Sequence, residues 1–384
     1  MTHTANRISI YAADTSGVCS ALYELGGLSV IHDASGCNST YTTFDEPRWY
    51  DSESMVCISA LTETDAIMGN DEKLVSDITE AAREHSPRFI ALCGSPVAMM
   101  IGTDFPAIAR EVEQRTGIPS FSVSTNGMHS YLEGASRAWV ALIDRFCKAD
   151  AIRTPTPSVN ILGATPLDFS LNGTIQAIGQ WLSDNGFSVI STLAMGSTLE
   201  QISHAGSAWV NLVISYSGLA VAQELKRRFG TPYVVGVSYG TTFAETLGIA
   251  LHQAAEQRTT LYPCVQRRAT TQEQPLVVVG ESVASGSLAS AIWQQTGQPV
   301  RVLCPLETTD ALLAPDDVRI PDESTMEAQF LLAGGIIADP LYLPLRPKDV
   351  PLYRLPHVAF SGRCFPKEIP DLINKPIHLE ETIW

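Results

Sequence analysis

Short apolar runs alternate with amphipathic stretches along the whole chain. In one such unit, the apolar run 88–93 predicts a buried strand, the stretch 101–115 a helix, and the run 120–124 the next strand. Runs that are apolar at nearly every position are typical of parallel sheets covered by helices on both faces. The pattern therefore predicts an α/β fold built from parallel strands.

This pattern starts again twice along the chain. A proline-bearing break precedes the apolar run 159–163, and a polar stretch precedes the run 276–280. Because 384 residues exceed what one compact core usually organises, the restarts indicate separate domains. We predict three doubly wound, Rossmann-like α/β domains around a central cleft, where such folds bind ligands at the carboxyl ends of their strands. The predicted extents of the domains are residues 1–153, 154–272 and 273–384.

The charge of the chain narrows the classes of function. The 25 Lys and Arg residues against 41 Asp and Glu residues give a formal charge of −16, and the densest basic group, 226–228, is short. Such a chain repels phosphate backbones, so we expect no nucleic-acid partner. No apolar run approaches the roughly 18 residues that a membrane helix requires, and the N-terminus does not resemble a secretion signal. We therefore expect a cytoplasmic protein with no membrane partner.

Eight cysteines stand out in a chain expected to be cytoplasmic. In that reducing compartment a disulfide framework is not expected, which leaves buried apolar residues, nucleophiles or metal ligands. Cys19 lies just before a helical stretch, and Cys37 and Cys93 lie where predicted strands end. Thiolates are soft ligands, so a cluster of them favours iron–sulfur or zinc chemistry.

Several segments between residues 16 and 140 share an order and spacing with one family. They are Gly17-Val18-Cys19, 30–37, 59–74, 93–104 and 125–134. These segments resemble the three cysteine motifs and the intervening conserved segments of the nitrogenase component 1 family. Weaker resemblance continues at 211–216, 230–233 and 338–342.

The resemblance implies a reductase subunit with three α/β domains. Members of the family pair through their first domain and hold an iron–sulfur cluster near that interface, so residues 1–153 are expected to bind iron–sulfur and to dimerise. The partner would be a second copy of the chain or a paralogous component 1 subunit. Electrons would come from an ATP-dependent iron protein, because this chain carries no Walker A sequence of its own.

Residue by residue, the resemblance assigns the ligands of a [4Fe–4S] cluster to Cys19, Cys37 and Cys93. Three thiolates leave one iron site open, for which Cys57, Asp33 or a residue of a second subunit are candidates. Asp33 replaces a family glycine, and capping of local backbone N–H groups is the alternative role for its carboxylate.

Four polar residues beside these motifs have less specific roles. We expect His32 and His129 to form structural hydrogen bonds, with tuning of the cluster or proton transfer as the alternative. Glu63 and Asp65 are expected to brace loops at the dimer interface.

One position departs from the family in a way that bears on the substrate. Ser215 stands where nitrogenase has the cysteine that anchors its active-site metal cofactor, and serine is a poor ligand for soft metals. His357, the nearest candidate for a second anchor, is expected to lie in a surface loop. We predict instead a substrate pocket near Ser215, Tyr216, Ser238 and Tyr239. A further metallocofactor or a tetrapyrrole substrate stays open.

Three alternative functions remain from the sequence. The chain would be a non-catalytic scaffold for metallocofactor assembly, as one branch of the family is, or a member that kept the fold and lost its cluster. In the third alternative, the pattern Gly236-Val237-Ser238-Tyr239-Gly240 is the nucleophile elbow of an α/β-hydrolase, with Asp310 and His357 as partners of Ser238.

Overall fold

The computed structural model of the protein describes residues 6–34, 46–267 and 274–378. Its strands form three sheets, and every strand pairing within them is parallel. Helices pack on both faces of these sheets, which confirms the predicted α/β class. Within the described ranges, no helix is both long enough and apolar enough to cross a bilayer.

The first sheet is formed by the N-terminal part of the chain. Its strands are β1 (Leu28–His32), β2 (Met55–Ile58), β3 (Ile90–Gly94) and β4 (Ser120–Ser122), in the order β2-β1-β3-β4. The helices around it are α1 (Asp14–Leu22), α2 (Glu63–Met68), α3 (Asp71–His85), α4 (Pro96–Met100), α5 (Phe105–Thr116) and α6 (Tyr131–Phe146).

The second sheet follows the proline-bearing break. Its strands are β5 (Ser158–Leu162), β6 (Ser188–Ser191), β7 (Val210–Val213) and β8 (Tyr233–Val235), in the order β6-β5-β7-β8. Its helices are α7 (Pro166–Phe169), α8 (Thr174–Asp184), α9 (Leu199–Ser203), α10 (Leu219–Phe229) and α11 (Thr241–Gln257).

The third sheet is formed by the C-terminal part of the chain. Its strands are β9 (Leu276–Val279), β10 (Val300–Cys304), β11 (Val318–Arg319), β12 (Gly335–Ala338) and β13 (Leu352–Arg354), in the order β11-β10-β9-β12-β13. Its helices are α12 (Ser282–Thr296), α13 (Glu323–Phe330) and α14 (Val358–Ser361).

In all three sheets the strand order reverses beside the first strand of the sheet. The reversals lie between β1 and β3, between β5 and β7, and between β9 and β12. At such a switch point the connections leave toward opposite faces, which opens a crevice at the carboxyl ends of the two strands. The doubly wound prediction is confirmed, and each sheet offers one crevice for a functional site.

The helix predicted over 101–115 begins at Phe105 rather than at residue 101, because two helices occupy this region, α4 before residue 101 and α5 from Phe105. The first ends at Met100, and Gly102 then takes a left-handed conformation with φ of +76°. Asp104 begins the second helix by accepting a hydrogen bond from the backbone N–H of Ala107 at 3.0 Å. The apolar periodicity continues across both helices, so the pattern alone does not show the break.

Each end of the described chain packs against a part of the molecule that is distant from it in sequence. The carboxylate of Glu323 in the third part of the chain accepts hydrogen bonds from the backbone N–H groups of Asn6, Arg7 and Ile8. Near the other end, Ile373 pairs with Tyr239, which follows the second sheet. The three sheets lie within the three predicted domain extents, and the exact boundaries stay a prediction.

Helices α1 and α6 approach each other so closely that their backbones touch. A Cβ atom added at Gly17 would lie 1.9 Å from the carbonyl oxygen of Tyr131, and one at Gly134 would lie 1.8 Å from that of Asp14. Both obstacles are backbone atoms, which cannot rotate away as a side chain can. Glycine at these two positions therefore sets the depth at which α1 lies in the first domain.

We expect Gly134→Ala to lower the free energy of unfolding by roughly 1–3 kcal/mol or more, because the added methyl group forces α1 and α6 apart. Gly179→Ala is the matched control, since Gly179 also lies inside a helix but a Cβ there meets nothing within 4 Å. That control should raise stability by about 0.5–1 kcal/mol. Urea unfolding of both variants measures the difference, and equal effects would contradict the backbone contact.

Candidate metal site and interdomain cavity

Cys19 and Cys93 are the two candidate ligands that the structure brings together. Cys19 lies on α1, and Cys93 lies on β3 next to Ile31 of β1, at the switch point of the first sheet. Both side chains are buried, and they pack in the same core. The structure thus places Cys19 inside a helix rather than just before one, with Cys93 near the end of its predicted strand.

The two thiols lie within hydrogen-bonding reach of each other. This contact with Cys93, together with burial and the negative charge of Glu46, raises the pKa of the Cys19 thiol well above its ordinary value. In the described structure Cys19 is therefore a neutral thiol, since nothing beside it stabilises a thiolate. A metal ion or cluster with positive charge would reverse this balance, because coordination deprotonates a thiol.

Cys37 lies in the segment 35–45, outside the described residues. Among the residues that are described, no group of three or more His, Cys, Asp and Glu side chains is placed to hold a metal ion. The proposed ligand set thus depends on Cys37, whose position follows β1 by only a few residues.

Cys57 does not lie with the other two thiols. It is opposite Val30 on β1, whereas Cys93 is opposite Ile31. Neighbouring residues of a strand point to opposite faces of a sheet. Accordingly, Cys57 packs against the core formed with α3 and α5, across the sheet from Cys93. The structure thus does not bring Cys57, the first candidate for the fourth ligand, to the site of Cys19 and Cys93.

Asp33, the other candidate for the fourth ligand, follows β1 and is buried. Its carboxylate accepts a hydrogen bond from the hydroxyl of Ser95 at 2.7 Å. This bond ties the ends of β1 and β3 together. It comes from a distant side chain and not from a local backbone N–H group, so the predicted cap stays a prediction.

Three further candidates occupy structural positions. His32 is hydrogen-bonded through Nδ1 to the hydroxyl of Ser59 at 2.8 Å, and burial lowers its pKa. His129 lies 3.7 Å from a carboxylate oxygen of Glu307. Asp65 accepts hydrogen bonds from Thr62 in a capping box at the start of α2, which agrees with its predicted loop-bracing role.

A buried ion-pair network beside Cys19 was missed by sequence reasoning. Arg48 is bound by Glu46 at 2.6 Å and by Glu24 at 2.9 Å, and it donates to the backbone carbonyl of Ser20 at 2.7 Å. Burial alone would lower the pKa of Arg48, but the hydrogen bonds and charges of the two glutamates raise it. Because Ser20 adjoins Cys19, the network fixes the helix that carries the thiol. In the sequence, Glu24, Glu46 and Arg48 look like ordinary charged residues, so nothing there indicates this network.

A small cavity of about 70 Å³ lies where the three domains meet. Its polar lining includes Tyr11, Asp168, Tyr239, Glu281, Asp339 and His357. Asp168, Glu281 and Asp339 follow β5, β9 and β12, so they lie at the switch points of the second and third sheets. The cavity is therefore built where doubly wound sheets bind ligands.

Asp168 is the centre of a hydrogen-bonded group in this cavity. Its Oδ1 atom accepts a hydrogen bond from the hydroxyl of Tyr131 and lies 3.4 Å from Nε2 of His357. The Tyr131 hydroxyl is itself 3.4 Å from the same His357 nitrogen. Burial and the negative charge of Asp168 raise the pKa of Tyr131 well above its ordinary value. A phenol, a carboxylate and an imidazole thus meet at one point, an arrangement able to hold and move a proton.

Glu281 is the second carboxyl group of the cavity. It caps α12 by accepting from the backbone N–H groups of Val283 and Ala284, and it also accepts from the N–H of Tyr216 at 3.1 Å. Burial and the negative charge of Asp168 nevertheless raise the pKa of Glu281 to about 8. The Glu281 carboxyl group is therefore mainly protonated near neutral pH.

Comparison with known proteins identifies the family of the chain. Residues 16–311 match the sequence profile described as nitrogenase component 1 type oxidoreductase. The chain belongs to this family.

Individual relatives of the chain in this family differ in function. This chain is 24% identical over 191 residues to the nitrogenase molybdenum-iron protein alpha chain of Methanosarcina barkeri, and the match covers 49% of this chain and 35% of that relative. It is 28% identical over 184 residues to the nitrogenase iron-molybdenum cofactor biosynthesis protein NifE of Clostridium pasteurianum, covering 47% of the chain and 39% of that relative. It is 24% identical over 220 residues to one subunit of the light-independent protochlorophyllide reductase of Prosthecochloris aestuarii, covering 55% of the chain and 40% of that relative.

The matched part of the chain thus spans well under half the length of these curated relatives. A solved structure titled "Nitrogenase Cp1 at pH 6.5" superposes with a TM-score of 0.74 at 13% identity, covering 98% of this chain and 91% of the other. That likeness shows the nitrogenase component 1 fold with its Rossmann-like domains.

The predicted pocket residues of this family member only partly line the cavity. Tyr239 lines it, whereas Tyr216 does not and is linked to it only by the hydrogen bond from its backbone N–H to Glu281. Ser215 is fully buried, where its hydroxyl accepts from Ser217 at 3.1 Å. The hydroxyl of Ser238 is also buried and has no hydrogen-bond partner among the described residues.

The hydrolase alternative is wrong, because its three residues do not meet. His357 contacts Asp168 in the cavity, and its Nδ1 atom has no partner in the described part of the chain, so it does not activate Ser238. Asp310 is 93% exposed and pairs with Arg319 at 2.7 Å. The expectation that His357 lies in a surface loop is also wrong, since its side chain is 19% exposed and faces the cavity.

The C-terminal cysteines fall into two classes. Cys147, Cys264 and Cys304 are buried, and burial raises the pKa of Cys264 and of Cys304 to about 12. These three are core residues. Cys364 is exposed, so it is not a core residue.

The raised pKa of Glu281 makes stability depend on pH. A carboxyl group whose folded pKa is raised from 4.5 to about 8 adds stability below pH 4.5, and that contribution is lost as the pH rises through about 8. Glutamine cannot ionise, so Glu281→Gln does not lose stability in this way as the pH rises. The free energy of unfolding of Glu281→Gln, relative to that of the wild type, should therefore increase between pH 4.5 and about 8.

Urea unfolding at a series of pH values measures this difference, with Glu256→Gln at an exposed position as the control. Asp168→Asn removes the negative charge that raises the pKa of Glu281, so the pH range in which the wild-type stability falls should move to lower pH in that background. A constant difference between Glu281→Gln and wild type at every pH would contradict the assignment.

Proposed function

We propose that this protein is a nitrogenase-like reductase subunit. In this proposal Cys19, Cys37 and Cys93 hold a [4Fe–4S] cluster, and the cavity between the domains binds the substrate. The observation that carries it is the pair of buried thiols at the switch point of the first sheet, in a chain of the nitrogenase component 1 family. When bound, the cluster supplies single-electron transfer at low potential.

The donor set fits an iron–sulfur cluster in kind and in place. Cys19 and Cys93 offer soft sulfur ligands from two different elements, and both lie in the same core. Cys37 is three residues beyond Ala34, the last described residue after β1. Three residues span at most about 11 Å, so Cys37 stays within reach of the same sheet edge.

The remaining ligand is proposed to come from a second subunit, because Cys57 faces away. An exposed apolar patch supports pairing on this side of the first domain. Its residues are Ile67, Met68, Met99, Met100 and Ile101, on α2 and at the end of α4. Contiguous exposed apolar side chains of this kind mark interaction surfaces. The partner is a second copy of the chain or a paralogous subunit.

Electrons are proposed to come from an ATP-dependent iron protein in the cytoplasm. The chain carries no phosphate-binding Gly-x-x-x-x-Gly-Lys sequence, so ATP hydrolysis needs a separate protein. The formal charge of −16 suits docking of a partner with a basic face.

The interdomain cavity is proposed to deliver protons to the substrate as well as to bind it. Reduction by single electrons requires protons, and the Tyr131 hydroxyl, the Asp168 carboxylate and the His357 imidazole form a path of hydrogen bonds at the cavity wall. Ser215 offers no soft ligand, which argues against a metal cofactor anchored there as in nitrogenase. A cavity of about 70 Å³ is also far below the roughly 300–1,000 Å³ of ordinary ligand pockets, so a whole tetrapyrrole does not fit without opening.

A cofactor-assembly scaffold is the second candidate function. The specific observation in its favour is the 28% identity to the cofactor biosynthesis protein NifE of Clostridium pasteurianum. The thiols do not distinguish a scaffold from a reductase, because both branches of the family hold clusters.

Anaerobic purification with iron and sulfide analysis tests the cluster. We expect the wild type to contain iron and sulfide, and the dithionite-reduced protein to give an EPR signal. Cys19→Ala, Cys37→Ala and Cys93→Ala should each reduce iron content and signal to background, because each removes one ligand. Cys304→Ala, at a buried thiol of the third sheet, should leave both unchanged. A folded wild-type protein that contains no iron would refute the proposal.

Mixing experiments separate the reductase from the scaffold. With a reduced iron protein and MgATP, a reductase should show ATP-dependent reduction of its cluster, and no metal should leave the chain. A scaffold should instead transfer its metallocluster to an apo-acceptor of the same family without turnover. Iron measured on each protein after separation, beside EPR of the mixture, distinguishes the two outcomes.

A further inference from the structure

A second and larger cavity lies beside the first. Its volume is about 370 Å³, within the range of pockets that bind small molecules. It is enclosed by the N-terminal segment 8–13, the loop 127–130 before α6, and the third domain around 305–307 and 320–326. Of the thiols discussed for the iron–sulfur site, the three in the described part of the chain, Cys19, Cys57 and Cys93, do not line it.

The lining of this cavity is mainly apolar. Its apolar side chains include Ile8, Ile10, Leu306, Ile320, Met326 and Phe360. Two apolar residues of the lining, Ile10 and Met128, are 68% and 69% exposed. Apolar side chains both deep in a cavity and exposed around it favour a ligand with an apolar body.

The walls of the cavity are held in place before any ligand arrives. Glu323 fixes the start of the N-terminal segment through the backbone N–H groups of Asn6, Arg7 and Ile8. Farther along, the N–H of Ala12 donates to the carbonyl of Ala359 at 2.7 Å, and the N–H of Tyr131 donates to the carbonyl of Ala12 at 2.8 Å. A preformed cavity binds a ligand without the cost of ordering its walls.

Glu307 places a carboxylate in this apolar lining. Its side chain is 16% exposed and accepts hydrogen bonds from the N–H of Ser130 at 3.0 Å and from the hydroxyl of the same residue. A carboxylate has about four acceptor positions, so it retains capacity for a ligand. The cation nearest to it is the His129 imidazole at 3.7 Å when protonated.

Two other carboxylates line the cavity and have structural tasks. Asp322 caps α13 by accepting from the N–H of Thr325 at 2.8 Å. Glu323 binds the N-terminal segment and lies 3.8 Å from Arg7, which offsets its charge. The lining therefore carries more negative than positive charge, and a cationic ligand is favoured over an anionic one.

Tyr11 separates this cavity from the interdomain cavity and lines both. Its hydroxyl is 3.4 Å from that of Tyr342, and its ring lies 4.6 Å from the ring of Phe360 and 5.7 Å from that of His357. A ligand in the larger cavity is thus one aromatic ring away from the group around Asp168.

We propose that the larger cavity is a binding site for a small molecule with an apolar, ring-sized body and a protonated amine directed at Glu307. The apolar body occupies the space between Ile8, Ile320 and Met326. The amine forms an ion pair with the Glu307 carboxylate, next to Ser130. Tyr11 positions the ligand against the interdomain cavity.

Three probes that share one ring system but differ in charge test the site. They are 1-naphthylmethylamine, 1-naphthalenemethanol and 1-naphthoate, titrated into the full-length protein and followed by naphthyl fluorescence. We expect the amine to bind roughly tenfold more tightly than the alcohol, and the anion to bind more weakly still. Equal affinities for all three, or no saturable binding of the amine, would overturn the proposal.

Two variants and one labelling experiment locate the binding. Glu307→Gln keeps the size of the side chain and should bring the affinity for the amine close to that for the alcohol. Met326→Trp fills the cavity and should abolish binding of both, whereas Ile249→Trp, at an exposed position on α11, should not. In protein with ¹³C-labelled methionine methyl groups, the amine should shift the NMR signals of Met128 and Met326 but not those of Met68 and Met100.

The labelling result decides the matter if Met326→Trp does not fold, because it needs no substitution. Unchanged Met128 and Met326 signals at saturating amine would refute the site. Since these measurements need neither iron nor turnover, their failure leaves the reductase proposal untouched. Likewise, absence of iron from the protein would not affect them.

Discussion

The contact of α1 with α6 is the constraint on which the first domain depends. Gly17 and Gly134 let the two backbones touch, and a side chain at either position would collide with a carbonyl group. The Asp14 carboxylate strengthens the contact, since it accepts from the N–H groups of Asn126 and Gly127 just before α6. Cys19 is carried one turn along α1 from these contacts, so its distance from Cys93 follows from them.

A second constraint joins the domains through carboxyl groups. Glu281 begins α12 of the third domain and also accepts from the backbone of Tyr216, which follows β7 of the second. Asp168 links the second domain to Tyr131 of the first. The switch points of separate sheets are thereby held at fixed distances from one another. The same bonds that hold the domains together also line the interdomain cavity.

Much of the fold follows from the apolar pattern, because parallel strands buried on both faces leave long apolar runs that glycine and proline interrupt. The site was only partly predictable for a different reason. Cys93 lies near the end of β3 and Cys19 lies inside α1 of the same domain, so the strand pattern and the family resemblance suffice to nominate both as ligands. Cys57 shows the limit, since the face of the sheet that a thiol occupies depends on the register of β2 against β1.

The residues that line the interdomain cavity could not be predicted from the sequence. Asp168 resembles any helix-start aspartate, and Glu281 resembles an ordinary helix cap; their partnership arises only when two domains pack. His357 was expected at the surface because its neighbours in sequence are loop residues, whereas its neighbours in space come from α6 and α7. Arg48 likewise pairs with Glu46, two residues before it, but meets Glu24 only when the segment after α1 packs against it.

The packing of the chain ends against distant parts of the molecule has a consequence for the order of folding. The segment that begins at Asn6 is synthesised 317 residues before Glu323, which holds it, and still earlier than Ala359. Contacts so distant along the chain are among the slowest to form. The nascent N-terminal segment therefore waits without its partners while the first two sheets assemble. The larger cavity comes into existence only when the third domain packs over it, because residues 305–307 and 320–326 form part of its wall, so any ligand there must bind after that step.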